Sequence, residues 1–323
     1  MRPFGWDMWN RNYRKFLKSN WHSLERWGLA YLHSPRALDA LAYAIAQEFS
    51  RCRIKVVVSI ESVWIDGTPQ VKAETHSGKV QCELADLLFI LDERDAHSHP
   101  LRQRALLLQG KTSPKYNKLD AGTSTKKERR LLEDTNRRSP IDVFRDIAAT
   151  SKIGTYTIGG LDYGFADCAR YMLMPKGALW GRYFFGLAPF QIGWPATRKS
   201  AFLRSPRGVV QAIQQMAIRG NMGRLLSDPK SCEWSRLVRD LLGGYRGIVM
   251  KGYSAQCRVN SSSSVASFLS HEQFAVNFNS HKSLPPLRPM QFDNEDAQDP
   301  PAINVLKVSI QYANTDNVPD TEA

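Results

Sequence analysis

Two stretches of the chain put polar, chemistry-bearing side chains where apolar ones would be expected. In Val80 to Leu91, Glu83 and Asp86 interrupt an otherwise apolar run, with Leu84-Ala85 between them and Leu87-Leu-Phe-Ile-Leu91 after. A carboxylate in such surroundings costs several kcal/mol to desolvate unless it is paired or bound to a cation. The second stretch, Ala105-Leu-Leu-Leu-Gln-Gly-Lys111, ends on Gln109 and Lys111. The two-residue period of a strand places those side chains on one face. If the two strands are neighbours, Asp86 lies beside that pair with a metal ion between Asp86 and Gln109. Oxygen ligands of this kind, with Glu83 or Glu48 added, suit a hard divalent cation, Mg2+ or Mn2+. A plainer reading has Glu83 paired with Lys111 at a strand end and Gln109 satisfying backbone groups.

A helix bearing a glutamate, a strand bearing an aspartate, and a following strand that ends in an acid-or-glutamine, any residue, lysine triplet together resemble the core of PD-(D/E)XK nucleases. Here these elements are Glu48 late in a helix, Asp86 within Glu83-Leu-Ala-Asp86, and Gln109-Gly-Lys111. The resemblance covers residues 34 to 175 and takes the glutamine variant of the third motif, in which the amide oxygen stands in for the usual acid. It implies a restriction-endonuclease-like α/β core with a mixed central sheet flanked by helices. It also implies Mg2+-dependent hydrolysis of DNA phosphodiester bonds, with Asp86, Gln109, Lys111 and Glu48 as catalytic residues and Asp86, Gln109 and Glu83 at the metal. Lys111 would position the attacking water or neutralise the phosphorane. Relatives of this kind often work in prokaryotic defence or mobile elements. A second reading keeps the fold and makes the protein a non-catalytic nucleic-acid-binding or complex-assembly subunit.

Positioning such residues requires particular elements. Ser34 as N-cap and Pro35 in the first turn open a helix through Leu38, Leu41, Ala42, Ile45 and Phe49 that ends near Arg51. The β-branched run Ile54 to Ile60, a turn at Asp66-Gly67, an extended stretch from Val71 to Glu74, a turn at Ser77-Gly78, and single strands over Val80 to Leu91 and Ala105 to Lys111 follow. Ile141 to Ala149 reads as a short amphipathic helix and Arg170 to Met174 as a strand. At the start, Trp6, Trp9, Tyr13, Phe16 and Leu17 recur at helical spacing with Arg11, Arg14, Lys15 and Lys18 largely between them, giving a helix with a basic outer face and aromatic anchors.

These elements divide the chain into an N-terminal helical region (1–33), the nuclease-like core (34–185), a mainly helical C-terminal region for recognition or assembly (186–280) and a Pro-rich acidic tail, partly disordered (281–323). Helices are expected over Pro206 to Arg219 and Cys232 to Leu242, and a strand over Ile248 to Val259. The alternation Ile303, Val305, Lys307, Ser309 could add a strand at a sheet edge or to a partner.

The 323 residues are 42% hydrophobic, enough for a real core, and carry 44 Lys and Arg against 31 Asp and Glu, a formal charge of +13 that favours a polyanionic partner. The basic segment following Lys111 contains Lys115, Lys118, Lys126, Lys127, Arg129 and Arg130, well placed to track a phosphate backbone, or simply a solvated face with Glu128, Glu133 and Asp134 as partners. Arg198, Lys199, Arg204, Arg207 and Arg219 form a second basic set. DNA is therefore the expected partner, with a homo-oligomer or a partner protein of a defence system as further ones and no membrane. Five scattered cysteines without a Cys-x-x-Cys pair, and no apolar leader or membrane-length run, make a cytoplasmic setting the expectation. His97-Ser-His99 lacks a third ligand nearby, and Gly159-Gly160 lacks the lysine of a phosphate loop.

Overall fold

The computed structural model describes residues 4–64, 69–177, 180, 188–243 and 302–314. The turn at Asp66-Gly67 and the strand expected over Ile248 to Val259 lie outside them.

Three helices open the chain: α1 (Trp6–Phe16), α2 (Leu24–Leu32) and α3 (Pro35–Arg51). The Ser34 side chain accepts a hydrogen bond from the Ala37 amide and Pro35 occupies the first turn, as its sequence requires. In α1 Met8 and Trp9 are buried while Leu17, just beyond the helix, is exposed.

Strands β1 (Val56–Val63), β4 (Leu87–Arg94), β5 (Pro100–Ser113), β8 (Ala169–Pro175), β9 (Gln191–Pro195), β10 (Leu203–Gly208) and β12 (Asn304–Tyr312) form one mixed sheet, ordered β1-β12-β4-β5-β8-β9-β10, with the two-residue β11 (Arg224–Leu225) added to β5. The β12·β4 and β5·β8 pairs are parallel and the rest antiparallel. A second, antiparallel sheet is ordered β3-β2-β6-β7, from β2 (Gln70–Thr75), β3 (Gly78–Glu83), β6 (Ile141–Phe144) and β7 (Lys152–Tyr156).

Strict alternation gives the main sheet two apolar faces. Leu87, Phe89 and Leu91 of β4, with Leu106 and Leu108 of β5, pack on one side with α1, α2, α3 and α5 (Val209–Arg219). Leu88 and Ile90, with Ala105 and Leu107, pack on the other with the second sheet, α4 (Thr123–Asp134) and α6 (Glu233–Gly243). The architecture is thus mixed α/β, a mixed sheet with flanking helices.

Three expectations change. Val80 to Leu91 is not one strand: β3 ends at Glu83, and the chain crosses at Leu84-Ala85-Asp86 into the other sheet as β4. The Leu84 amide donates to Pro69 O at 2.8 Å and the Asp86 amide to Leu108 O at 3.1 Å, so each end of the crossing belongs to a different ladder. Ile141 to Ala149 is no helix: Ile141–Phe144 pairs with β2 and β7, and Ala149 turns the chain at φ 54°. Its Ile-Asp-Val alternation suits a strand covered on one face. The alternating segment after Ile303 is an interior strand, not an edge: β12 lies between β1 and β4 with almost every residue buried. The region after 186, expected to be mainly helical, carries α5 and α6 and also β9 and β10, which extend the main sheet.

Candidate functional site

The crossing between the sheets delivers Asp86 to the start of β4, opposite β5, where Leu87 pairs with Leu108. That register sets Asp86 against Gln109. The Gln109 Nε2 donates to Asp86 Oδ2 at 2.5 Å and the Gly110 amide donates to the same oxygen at 2.7 Å. Both hydrogen bonds therefore fall on Oδ2, and the Asp86 backbone carbonyl accepts from Asn304 Nδ2 at 2.8 Å. Lys111, two residues past Gln109, projects from the same face. Its Nζ lies 3.2 Å from Glu25 Oε1 and 3.0 Å from Glu128 Oε2.

Glu25 stands in the first turn of α2, capped by Ser23, and its other carboxylate oxygen accepts from the Thr112 amide at 3.3 Å. Glu128 lies on the inner stripe of α4 with Thr125, Leu131 and Leu132, all buried. Two helices from opposite sides of the sheet thus aim carboxylates at one lysine. Glu83, half-buried at the end of β3, adds a fourth negative charge felt by Asp86 and Glu128.

Burial pushes the Asp86 carboxyl well above its usual range; Lys111 pulls it back, while Glu25 and Glu83 push it further. Burial likewise raises Glu128, opposed by Lys111 and reinforced by Glu25 and Glu83. For Lys111, burial disfavours the charge, but Asp86, Glu25 and Glu128 outweigh it and raise its pKa above the ordinary lysine value. The ammonium is therefore a fixed cation at neutral pH.

The sequence-derived residues are not all gathered here. Asp86, Gln109, Lys111 and Glu83 are. Glu48 is not: its carboxylate pairs with Arg51 at 2.5 Å, on a helix that packs against β1 and α5. The helix glutamate beside Lys111 is Glu25, one helix earlier, and its sequence signal was the serine two residues before it at a helix start. Glu128 carried a signal too, an acid at the apolar phase of an amphipathic helix. Asn304, more than two hundred residues from Asp86 in sequence, carried none.

Of the basic segment, Lys115, Lys118, Lys126 and Lys127 are exposed. Arg129 is committed to Glu133 and to Ser200 O, and Arg130 to the carbonyls of Ser77, Gly78 and Lys79, so both tie α4 to neighbouring hairpins. His97 and His99 donate backbone amides to Asp95 in an exposed turn. The space over Gly160 is filled by Arg137, Arg224 and Asp167.

Whether the donors present suit a divalent cation turns on Gln109. Gln109 is 1% exposed, and its Oε1 is buried without a hydrogen-bond donor. An amide oxygen in that position is under-satisfied unless a cation or water meets it. Among the described residues no three His, Cys, Asp or Glu side chains converge tightly enough to hold a metal by themselves; a metal here would have to draw on the Gln109 amide beside Asp86. Compared with known proteins, the chain matches no family model, no curated protein and no solved structure. No described helix is long and apolar enough to cross a membrane.

Proposed function

We propose that the chain is a metal-dependent nuclease of the PD-(D/E)XK type that hydrolyses DNA phosphodiester bonds. The observation that carries this is the opposition of Asp86 and Gln109 across β4 and β5 with Lys111 on the same face, all three buried among Glu25, Glu83 and Glu128. An arrangement that only held the fold together would be an expensive one, since among the described residues Lys111 is the one cation paired with this group of four carboxylates, helped by the Gly110 and Thr112 amides and the Gln109 side chain.

Asp86 and the Gln109 amide oxygen would hold Mg2+ or Mn2+, with Glu83 within electrostatic reach. When bound, the ion supplies a polarised phosphoryl oxygen and a more acidic water. Lys111, fixed in its charged form, cannot take a proton from water; it donates hydrogen bonds and neutralises the charge that grows on the phosphate. Glu25 and Glu128 orient its ammonium, and Glu25 anchors the strand end through the Thr112 amide.

The test is cleavage of supercoiled plasmid in Mg2+ by the wild-type chain and by the Lys111→Ala and Asp86→Ala variants. Cleavage by the wild type alone is the expected result. Equal cleavage by all three would end the assignment. A cytoplasmic role in defence or on a mobile element accords with the reading and would be tested by challenging cells with phage or plasmid.

A further inference from the structure

The two basic segments that lie far apart in sequence are one surface in the fold. Beyond Lys111, the strand β5 runs two residues to Ser113, whose hydroxyl donates to Lys118 O at 2.5 Å and accepts from the Lys115 amide at 3.2 Å. The loop so folded back forms a bridge between Lys118 and Phe202, with the Leu203 amide donating to Asn117 O and the Leu119 amide to Ala201 O, both at 2.8 Å. Residues 115–119 are thereby stitched to the β9–β10 hairpin that carries Arg198, Lys199 and Arg204. Asp134 offsets Arg198 by an ion pair; Lys115, Lys118, Lys199 and Arg204 remain exposed.

In this cationic field stands a half-exposed aromatic side chain. Phe202 is 47% exposed, and the Lys118 ammonium lies 5.6 Å from its ring centroid. Phe202 and Arg204 flank buried Leu203, so ring and guanidinium share the outward side of the strand. Charge alone would suit any nucleic acid, whereas an exposed ring beside lysines recognises the face of an unpaired base, which a duplex keeps stacked away.

We infer that this surface binds single-stranded nucleic acid, with a base stacked on Phe202 and the backbone led by Lys115, Lys118, Lys199 and Arg204 toward Asp86 and Lys111. The inference rests on the nuclease reading for the direction of the strand, but not for the binding itself. Binding is measured by fluorescence anisotropy in EDTA, where no cleavage occurs, with the full chain and labelled oligothymidine, oligouridine and a mixed-sequence duplex of about 20 nucleotides. Wild type should bind a single strand more tightly than the duplex, with affinity falling as salt rises. Phe202→Ala should weaken single-strand binding roughly 10-fold and leave duplex binding unchanged, and Phe202→Trp should restore it. The comparison of oligothymidine with oligouridine identifies the preferred sugar. Wild-type affinity in Phe202→Ala, with its melting temperature unchanged, overturns the inference, as does equal affinity for single strand and duplex. If plasmid cleavage fails while Phe202-dependent binding persists, the nuclease reading falls and this one stands.

Discussion

Lys111 is held by Glu25 and Glu128 from two different helices while Asp86 sits close enough to raise its pKa. The consequences differ for each partner. Lys111→Ala removes the cation and leaves the carboxylates facing one another, so cleavage should disappear while salt-dependent DNA binding in EDTA persists, a split that anisotropy and plasmid assays read separately. Glu128→Gln keeps the shape of the side chain but removes one of the charges that orient Lys111. It should reduce kcat with little change in apparent substrate affinity; a changed affinity with unchanged kcat would count against an orienting role. A second buried group supplies an acid–base test of the fold. Burial pushes Glu61 on β1 up to about 7, despite Lys307, whose Nζ lies 3.5 Å away. The folded pKa exceeds the unfolded one, so the contribution of Glu61 to stability is complete below about pH 4.5 and is lost as pH rises through about 7. Glu61→Gln cannot ionise, and Lys307 keeps Asp92 as a partner. The variant should therefore gain stability relative to wild type between pH 5 and pH 8, by on the order of 3 kcal/mol, as followed by urea denaturation at each pH.

At the scale of elements, the site depends on how closely α2 approaches the sheet. Gly28 faces Trp9 and Met174 so tightly that a Cβ there would lie 2.7 Å from Met174 Sδ and 3.4 Å from the Trp9 ring. Gly28→Ala should force the helix outward, lowering stability by about 1–3 kcal/mol and withdrawing Glu25 from Lys111; a thermal melt and the plasmid assay would both register it. The helix signals at Ser34 and Pro35 were legible in sequence because capping is a local matter. The break between β3 and β4 was not, since Leu84-Ala85 carries no turn residue and the reason for the break is that two sheets compete for the flanking backbone. Ile141 to Phe144 was misread for a similar reason: four residues fit more than one periodicity, and the pairing with β2 decided between them.

At the scale of the whole molecule, β12 is the element that sequence placed least well. The chain after residue 281 reads as an acidic, Pro-rich tail, yet Asn304–Tyr312 fills the space between β1 and β4 and its Asn304 supports the Asp86 carbonyl. A chain ending at residue 300 should leave β1 without a strand partner and β4 paired only to β5, and fail to unfold cooperatively, whether followed by circular dichroism or calorimetry. A truncated protein with a normal melt would show that the sheet closes without this strand.

Sequence by itself determined the polar exceptions in apolar runs, Asp86, Gln109 and Lys111, because burying such groups is costly wherever they occur, and for Gln109 and Lys111 the two-residue period of β5 fixes a shared face. It also determined the basic balance and the capped helices. Tertiary structure alone decided which helix glutamate meets the lysine, that Arg129 and Arg130 serve as ties while Lys115 and Lys118 stay exposed, and that a distant strand carries Asn304 to Asp86. Those choices depend on contacts between segments far apart in the chain, which local propensity and spacing do not encode.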